Sequence, residues 1–269
     1  VFGSSFVYGA GLEYEESVIG LLEETHKKFE FYNFSSGYSG PSIHLYNLKK
    51  KINSKEIPKK IILILSLSDI HNESAIWKGY DQNGRPLLAS NKIYLQSKIK
   101  ETFIKKNFRL SRSLAHTINN SLRAIRTSAN VKSNIKIRTT IQAGYTYQPI
   151  EKLKPFYTEK TFSNGKSLLK RKIKDIAYIA SENNVELYLV IFPFADTLEY
   201  GQKIFDWENY TKNICSEISC KFVNTFDNFR NYKKKNVKWY SDLFFRGDEH
   251  FTRKGHAILS EKLTKDIFQ

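Results

Sequence analysis

Ser5, Asp248 and His250 are the residues whose types and spacing could do chemistry in this 269-residue chain. A serine hydroxyl is a poor nucleophile until a neighbouring imidazole takes its proton. The imidazole in turn needs a carboxylate that fixes its tautomer and stabilises its cation. Asp248 precedes His250 by two residues in a loop leading into a helix, so both side chains can face one site. Ser5 follows Gly3-Ser4 at what reads as the first strand-to-helix turn. Backbone N–H groups at that turn and at Gly37 could receive a developing oxyanion. Glycine at position 37 would let the backbone approach a substrate closely. Two further polar stretches, Asn33 to Gly40 and Ser66-Leu67-Ser68-Asp69, would join them at one edge of a sheet.

Each of these residues also has a plainer reading. Ser5 could be turn chemistry or a helix N-cap, and Asp248 could cap the terminal helix. Gly37-Tyr38-Ser39-Gly40 could be only a turn. His256 reads as a structural helix residue. His26, His44, His71 and His116 show no metal-ligand clustering, and Trp77, Trp207 and Trp239 read as packing residues. No metal and no cofactor is expected.

The elements that must position these groups follow from hydrophobic periodicity. Residues 14–28 place Val18, Leu21 and Leu22 on one face, with acids early and lysines late, which predicts a helix aligned with its dipole. Residues 29–34 predict a short aromatic strand. The continuous apolar runs 61–67 and 185–194 predict buried parallel strands. Residues 166–183 and 205–218 predict helices, Cys220 to Phe226 a strand, and the stretch after Thr252 a helix capped by that threonine. Strands alternating with helices predict a three-layer α/β/α domain, flavodoxin-like, with a central parallel sheet. Ligands bind such sheets beyond the carboxyl ends of the strands. Residues 1–269 read as one domain, with a basic insertion or helical excursion around 75–160.

At these residues the sequence resembles the SGNH (GDSL-like) hydrolase superfamily. Its first block, Gly-Asp-Ser with a following aromatic and nearby Gly, is similar to Gly3-Ser4-Ser5-Phe6 with Gly9. Its second resembles Asn33 with Gly37-Tyr38-Ser39, and its last resembles Asp248, His250, Gly255 and His256. The resemblance implies Ser5 as nucleophile, His250 as base, Asp248 as its orienter and Gly37 as an oxyanion donor. It implies a serine esterase or O-acyltransferase working through an acyl-enzyme on an acylated glycan or lipid. Two departures stand out. Ser4 replaces the first-block Asp, and Ser68-Asp69 stands where the third block has Asn-Asp, whose amide donates to the oxyanion. The alternative is therefore a catalytically impaired SGNH-fold domain that binds glycan or a partner protein.

The formal net charge is +16, and it is concentrated. Residues 92–138 hold twelve Lys/Arg against Glu101 alone, a net of +11. Such a segment would attract an anionic surface or polymer, or remain a solvated face. No nucleic-acid motif accompanies it. A composition of 41% hydrophobic residues excludes disorder across the chain. Cys215 and Cys220 form no metal-binding spacing. A local disulfide and two free thiols are both open, and a bridge would fit an extracytoplasmic compartment. The start at Val1-Phe2-Gly3, inside a strand-like run, raises the expectation of an upstream leader or membrane anchor.

Overall fold

The computed structural model describes residues 1–37, 39–88, 159–245, 248 and 250–269. One compact unit comprises Val1–Leu87 with the chain from Arg138 to Gln269. The other, Leu88–Ile137, lies outside the described residues apart from Leu88, and so does the whole basic segment 92–138.

Three parallel strands form the central sheet: β1 (Lys60–Leu65), β4 (Glu186–Ile191) and β5 (Lys221–Asn224), in the order β1-β4-β5. Lys60 pairs with Glu186 through to Leu65 with Ile191, and Tyr188 to Ile191 pair with Lys221 to Asn224. From Ile61 to Leu65 every side chain is buried, so both faces of the sheet are covered, as an unbroken apolar run requires. The chain start extends the sheet beyond β1. Phe2 N–H donates to Ile62 O (2.9 Å) and Ile64 N–H to Phe2 O (2.9 Å). Outside that, Phe34 N–H donates to Val1 O (2.9 Å) and Ser36 N–H to Gly3 O (3.2 Å). In space the segments run 34–36, 1–3, β1, β4, β5, which is the order of a flavodoxin-like sheet. The order reverses between segment 1–3 and β1.

Helices sort into two sets that pack within themselves. One holds α3 (Pro41–Asn53), α4 (Ser68–His71), α5 (Glu159–Glu182) and α7 (Trp207–Glu217). Tyr210 of α7 donates to Lys166 O of α5 at 2.7 Å, and Lys170 of α5 reaches Glu217 at 2.6 Å. The other set holds α2 (Val18–Thr25), α8 (Phe226–Lys235), α9 (Trp239–Leu243) and α10 (Arg253–Leu263). The short α1 (Ser5–Tyr8) and α6 (Ala195–Tyr200) lie at the carboxyl ends of their strands.

Two expectations change. The helix expected over 14–28 is a 3-10 turn, Tyr14–Glu16, and then α2. Ser17 separates them because its hydroxyl accepts the Gly20 N–H at 3.2 Å, so it caps a new helix instead of continuing the old one. The aromatic run 29–34 forms no regular strand; only its end meets the sheet, where Tyr32 O accepts from the Val1 amino group (2.7 Å) and the Phe34 ring stacks 5.0 Å from Phe2. Of the segment 75–160, expected as a basic insertion or helical excursion, residues 89–158 lie outside the described ones; its beginning completes the π-helical turn Asn72–Ile76 and runs into a hairpin, β2 (Trp77–Tyr80) with β3 (Pro86–Leu88). Its loop closes on Asp81, whose carboxylate accepts from Asn83 N–H (2.8 Å) and Arg85 N–H (2.9 Å). Cys215 of α7 and Cys220, just before β5, are joined by a disulfide with Cα atoms 5.0 Å apart.

Candidate active site

The first turn is shaped by a glycine. A Cβ at Gly3 would sit 2.3 Å from Val7 Cγ2, so only glycine lets the strand turn this tightly into α1. Ser4, buried, precedes α1 as its N-cap but makes no side-chain cap bond. Ser5 is the first helical residue and is half-buried. Its N–H, at the start of a helix, has no intrahelical acceptor.

Across the chain, Phe244 and Phe251 form an antiparallel bridge, and Thr252 N–H donates to Leu243 O at 3.0 Å. Between them Phe245 N–H donates to His250 O (2.9 Å) and Asp248 N–H to Phe245 O (3.0 Å). This closed loop presents Asp248 and His250 together. His250 Nδ1 lies 2.6 Å from Asp248 Oδ1, and the same oxygen accepts the His250 backbone N–H at 3.0 Å. His250 Nε2 lies 2.8 Å from Ser5 Oγ. With the Nδ1 proton assigned to the carboxylate bond, Nε2 is the acceptor for the serine hydroxyl. The imidazole rests on the ring of Phe6, 4.8 Å away, and Phe6 in turn packs on Phe192, Phe194 and Phe251. The capping roles open to Asp248 and Ser5 are thus taken by others. Thr252 caps α10 through Gly255 N–H, and Ser4 holds the N-cap place of α1.

His256 lies one turn into α10 and is buried. Its Nδ1 accepts the N–H of Val18 at 3.0 Å, tying α10 to the start of α2. Burial, and to a lesser degree the nearby His250, holds its pKa down at about 3, so it is a neutral structural acceptor.

Gly37 sits in an exposed turn. That loop is fastened to the Ser5 turn by Ser36 N–H on Gly3 O and by the buried Ser39, whose hydroxyl lies 2.6 Å from both Gly3 O and Ser36 O. A Cβ at Gly37 would meet nothing within 4 Å, so the space beside it is open. Asn33 faces inward along the loop, accepting from Ser35 N–H (2.9 Å) and from the Ser35 hydroxyl.

Ser68 opens α4, and its hydroxyl is 2.8 Å from that of Ser66. Beneath it lies a buried polar network absent from the sequence reading. Asp69 Oδ2 accepts Ser66 N–H (2.7 Å) and Ser66 Oγ (3.1 Å). Burial pushes its pKa up to about 7 against the opposing Ser66 bonds. Asn72 donates to Ser39 O at 3.2 Å and to Asp69 Oδ1 at 3.5 Å, so its amide is engaged within this network. Glu73 accepts Ser42 N–H (2.8 Å) and Ser42 Oγ (2.6 Å), and burial raises its carboxyl too. The available signal was Ser66-x-x-Asp69 just after an apolar run, where a carboxylate returns to a backbone N–H at a helix start.

Ser5, Ser68 and the Gly37 loop follow their strand segments at the carboxyl ends, and the loop between α9 and α10 brings His250 and Asp248 to Ser5 there; Ser5 and Ser68 flank the reversal in strand order. Among the described residues no group of three or more His, Cys, Asp or Glu could hold a metal ion.

No protein-family model matches the chain, and no curated protein matches its sequence. Solved structures do. A member of the lipolytic protein G-D-S-L family from Veillonella parvula DSM 2008 aligns over 100% of this chain and 96% of its own, at 10% identity and TM-score 0.53. A psychrotrophic esterase from Pseudoalteromonas sp. (99% and 94% covered, 12% identity, TM-score 0.47) also aligns. So does an acetylxylan esterase from Geobacillus stearothermophilus (99% and 91% covered, 13% identity, TM-score 0.45). The parallel α/β sheet, its strand order and the Veillonella match agree: this chain has the fold of the SGNH (G-D-S-L) hydrolases.

Proposed function

We propose that the chain is a serine esterase or O-acyltransferase that forms an acyl-enzyme on an acylated glycan or lipid. The observation that carries this reading is the row Ser5 Oγ, His250, Asp248 at 2.8 and 2.6 Å, at the carboxyl edge of the sheet. Ser5 Oγ attacks the ester carbonyl while His250 Nε2 takes its proton. Asp248 holds the imidazole in the right tautomer and stabilises the imidazolium. The N–H groups of Ser5 and Gly37 receive the oxyanion, and His250 then protonates the leaving alkoxide. Water or a second hydroxyl releases the acyl group, and that acceptor separates hydrolysis from transfer. Tyr8, one helical turn beyond Ser5 and 58% exposed, gives the substrate an aromatic face beside the serine. The Cys215–Cys220 disulfide supports an oxidising, extracytoplasmic location.

The test is Ser5→Ala, assayed with 4-nitrophenyl acetate and a fluorophosphonate probe. Loss of both turnover and labelling is expected; equal labelling of variant and parent would sink Ser5 as nucleophile. A second reading, an impaired domain that binds glycan or a protein partner, is favoured by Ser68 and by Asn72, whose amide is engaged with Ser39. Ester turnover abolished by His250→Ala would dismiss it.

A further inference from the structure

The amino ends of the strands, at the opposite end of the sheet from Ser5, collect lysines. Lys27 and Lys28 follow α2; Lys49, Lys50 and Lys51 close α3; Lys55, Lys59 and Lys60 lead into β1. Residues 27–60 thus hold eight lysines against Glu30 and Glu56, a net of +6. Only Lys51 and Lys60 are paired, with Glu56 and with Glu186 of β4. Lys27, Lys28, Lys49, Lys50, Lys55 and Lys59 are exposed. The dipole of α3 favours cations in its last turn, but it does not reach Lys55 or Lys59 beyond the helix.

Apolar side chains are interleaved with these charges. Ile57 is 51% exposed and Tyr32 41% exposed, with Lys51 Nζ 3.6 Å from the Tyr32 ring centre. Lys28 lies over Phe29 at 5.4 Å, and Phe29 packs on Phe268 at 5.1 Å. Residues 27–60 contain no arginine. Arginine is the side chain suited to fixed bidentate phosphate recognition, as on a nucleic-acid backbone. Lysine is a mobile point charge, suited to a fluid array of phosphates, and half-exposed aromatic and aliphatic groups among lysines match a bilayer interface.

We propose that this face docks on the anionic headgroups of a phospholipid bilayer. Each lysine near such a surface contributes about fivefold in affinity. With β1 running about 20 Å from its amino to its carboxyl end, the docked chain presents Ser5 away from the lipid. The inference rests on charge and topology and is independent of the proposed esterase activity.

The experiment is co-sedimentation of the full chain with phosphatidylcholine vesicles and with vesicles containing 30 mol% phosphatidylglycerol. Parent protein is compared with Lys49→Glu/Lys50→Glu/Lys59→Glu. A control of equal net charge, Lys160→Glu/Lys212→Glu/Lys254→Glu, alters exposed lysines elsewhere. Expected are binding to the anionic vesicles only, a loss of about 100-fold in the first triple variant, and near-parental binding in the control. Ile57→Ser should weaken binding without changing its salt dependence. Unchanged melting temperatures establish that each variant is folded. Equal losses in both triple variants, parental binding by the first, or retention of a DNA duplex without vesicle binding would each overturn the proposal.

Discussion

Replacing His256 with glutamine should make the protein less sensitive to acid. His256 is almost fully buried and uses Nδ1 to accept the Val18 N–H at 3.0 Å. A proton on that nitrogen would face another donor and place a charge in the core. Its folded pKa is about 3, against an ordinary 6.5. Between those values the unfolded chain binds a proton that the folded chain refuses. The contribution to stability is therefore complete above pH 6.5 and lost as pH falls toward 3. One pKa unit corresponds to about 1.4 kcal/mol, so the loss reaches about 3 kcal/mol by pH 4. Glutamine does not titrate, and its side-chain oxygen can accept the same N–H. At pH 7 the change of shape should cost about 1–2 kcal/mol. Urea unfolding of both proteins from pH 7 to pH 4 reads the difference directly. The deficit of His256→Gln should shrink by about 3 kcal/mol and vanish or reverse near pH 4. Both proteins will lose stability in acid, because buried His44 and half-buried His71 also have lowered pKa values, about 3 and about 4. That shared loss cancels in the comparison. Parallel stability curves would refute the assignment of His256 as a buried neutral acceptor.

Three further outcomes are expected. Asp69→Asn should gain on the parent as pH rises, because a folded pKa of about 7 against 3.8 means stability is full below pH 3.8 and falls until pH 7. The gain between pH 5 and pH 8 should be about 2–3 kcal/mol, read from the same urea titrations, and a flat difference would exclude a protonated Asp69. Ser68→Asn should raise kcat and kcat/KM together by up to about 10²–10³, since an amide there would act on the oxyanion alone. A change confined to KM would place the new amide on the ground state. Gly3→Ala should cost about 1–3 kcal/mol through its contact with the fully buried Val7. It should also lower ester turnover by displacing Ser5; a melting temperature unchanged from the parent would contradict the tight turn.

Much of the scaffold is written in local pattern. The runs Ile61–Leu65 and Leu187–Ile191 have no polar face, so they suit the interior of a parallel sheet and little else. The amphipathic stretch 166–183 and the Thr252 cap are likewise local, and they fix most of α5, which begins earlier, at Glu159, and the start of α10. The members of the candidate site, Ser5 with Asp248 and His250, could be named from residue types and chain position, and the fold brings them together. Where prediction failed, a local signal lost to a competing one. Ser17 broke a plausible 15-residue helix by capping a new one. The aromatic run 29–34 suited a strand, but only Tyr32 O and Phe34 N–H bond to the neighbouring Val1, while Phe29 N–H turns back on His26 O. α3 went unread because its apolar positions are interrupted by His44 and by Lys49 to Lys51.

Sequence by itself determined which residue types are on hand for chemistry and which segments must be buried, because side-chain chemistry and hydrophobic period are local properties. Tertiary structure decided which of them meet. Ser5 and His250 are 245 positions apart and come within 2.8 Å only because the first and last segments close on the same sheet edge. The same packing settled the choice between a disulfide and two thiols at Cys215 and Cys220. It also chose the carbonyl of Ser39 for the Asn72 amide and buried Asp69 beneath Ser68. A hydrogen bond or a desolvated carboxylate depends on neighbours brought from elsewhere in the chain, which no local pattern specifies.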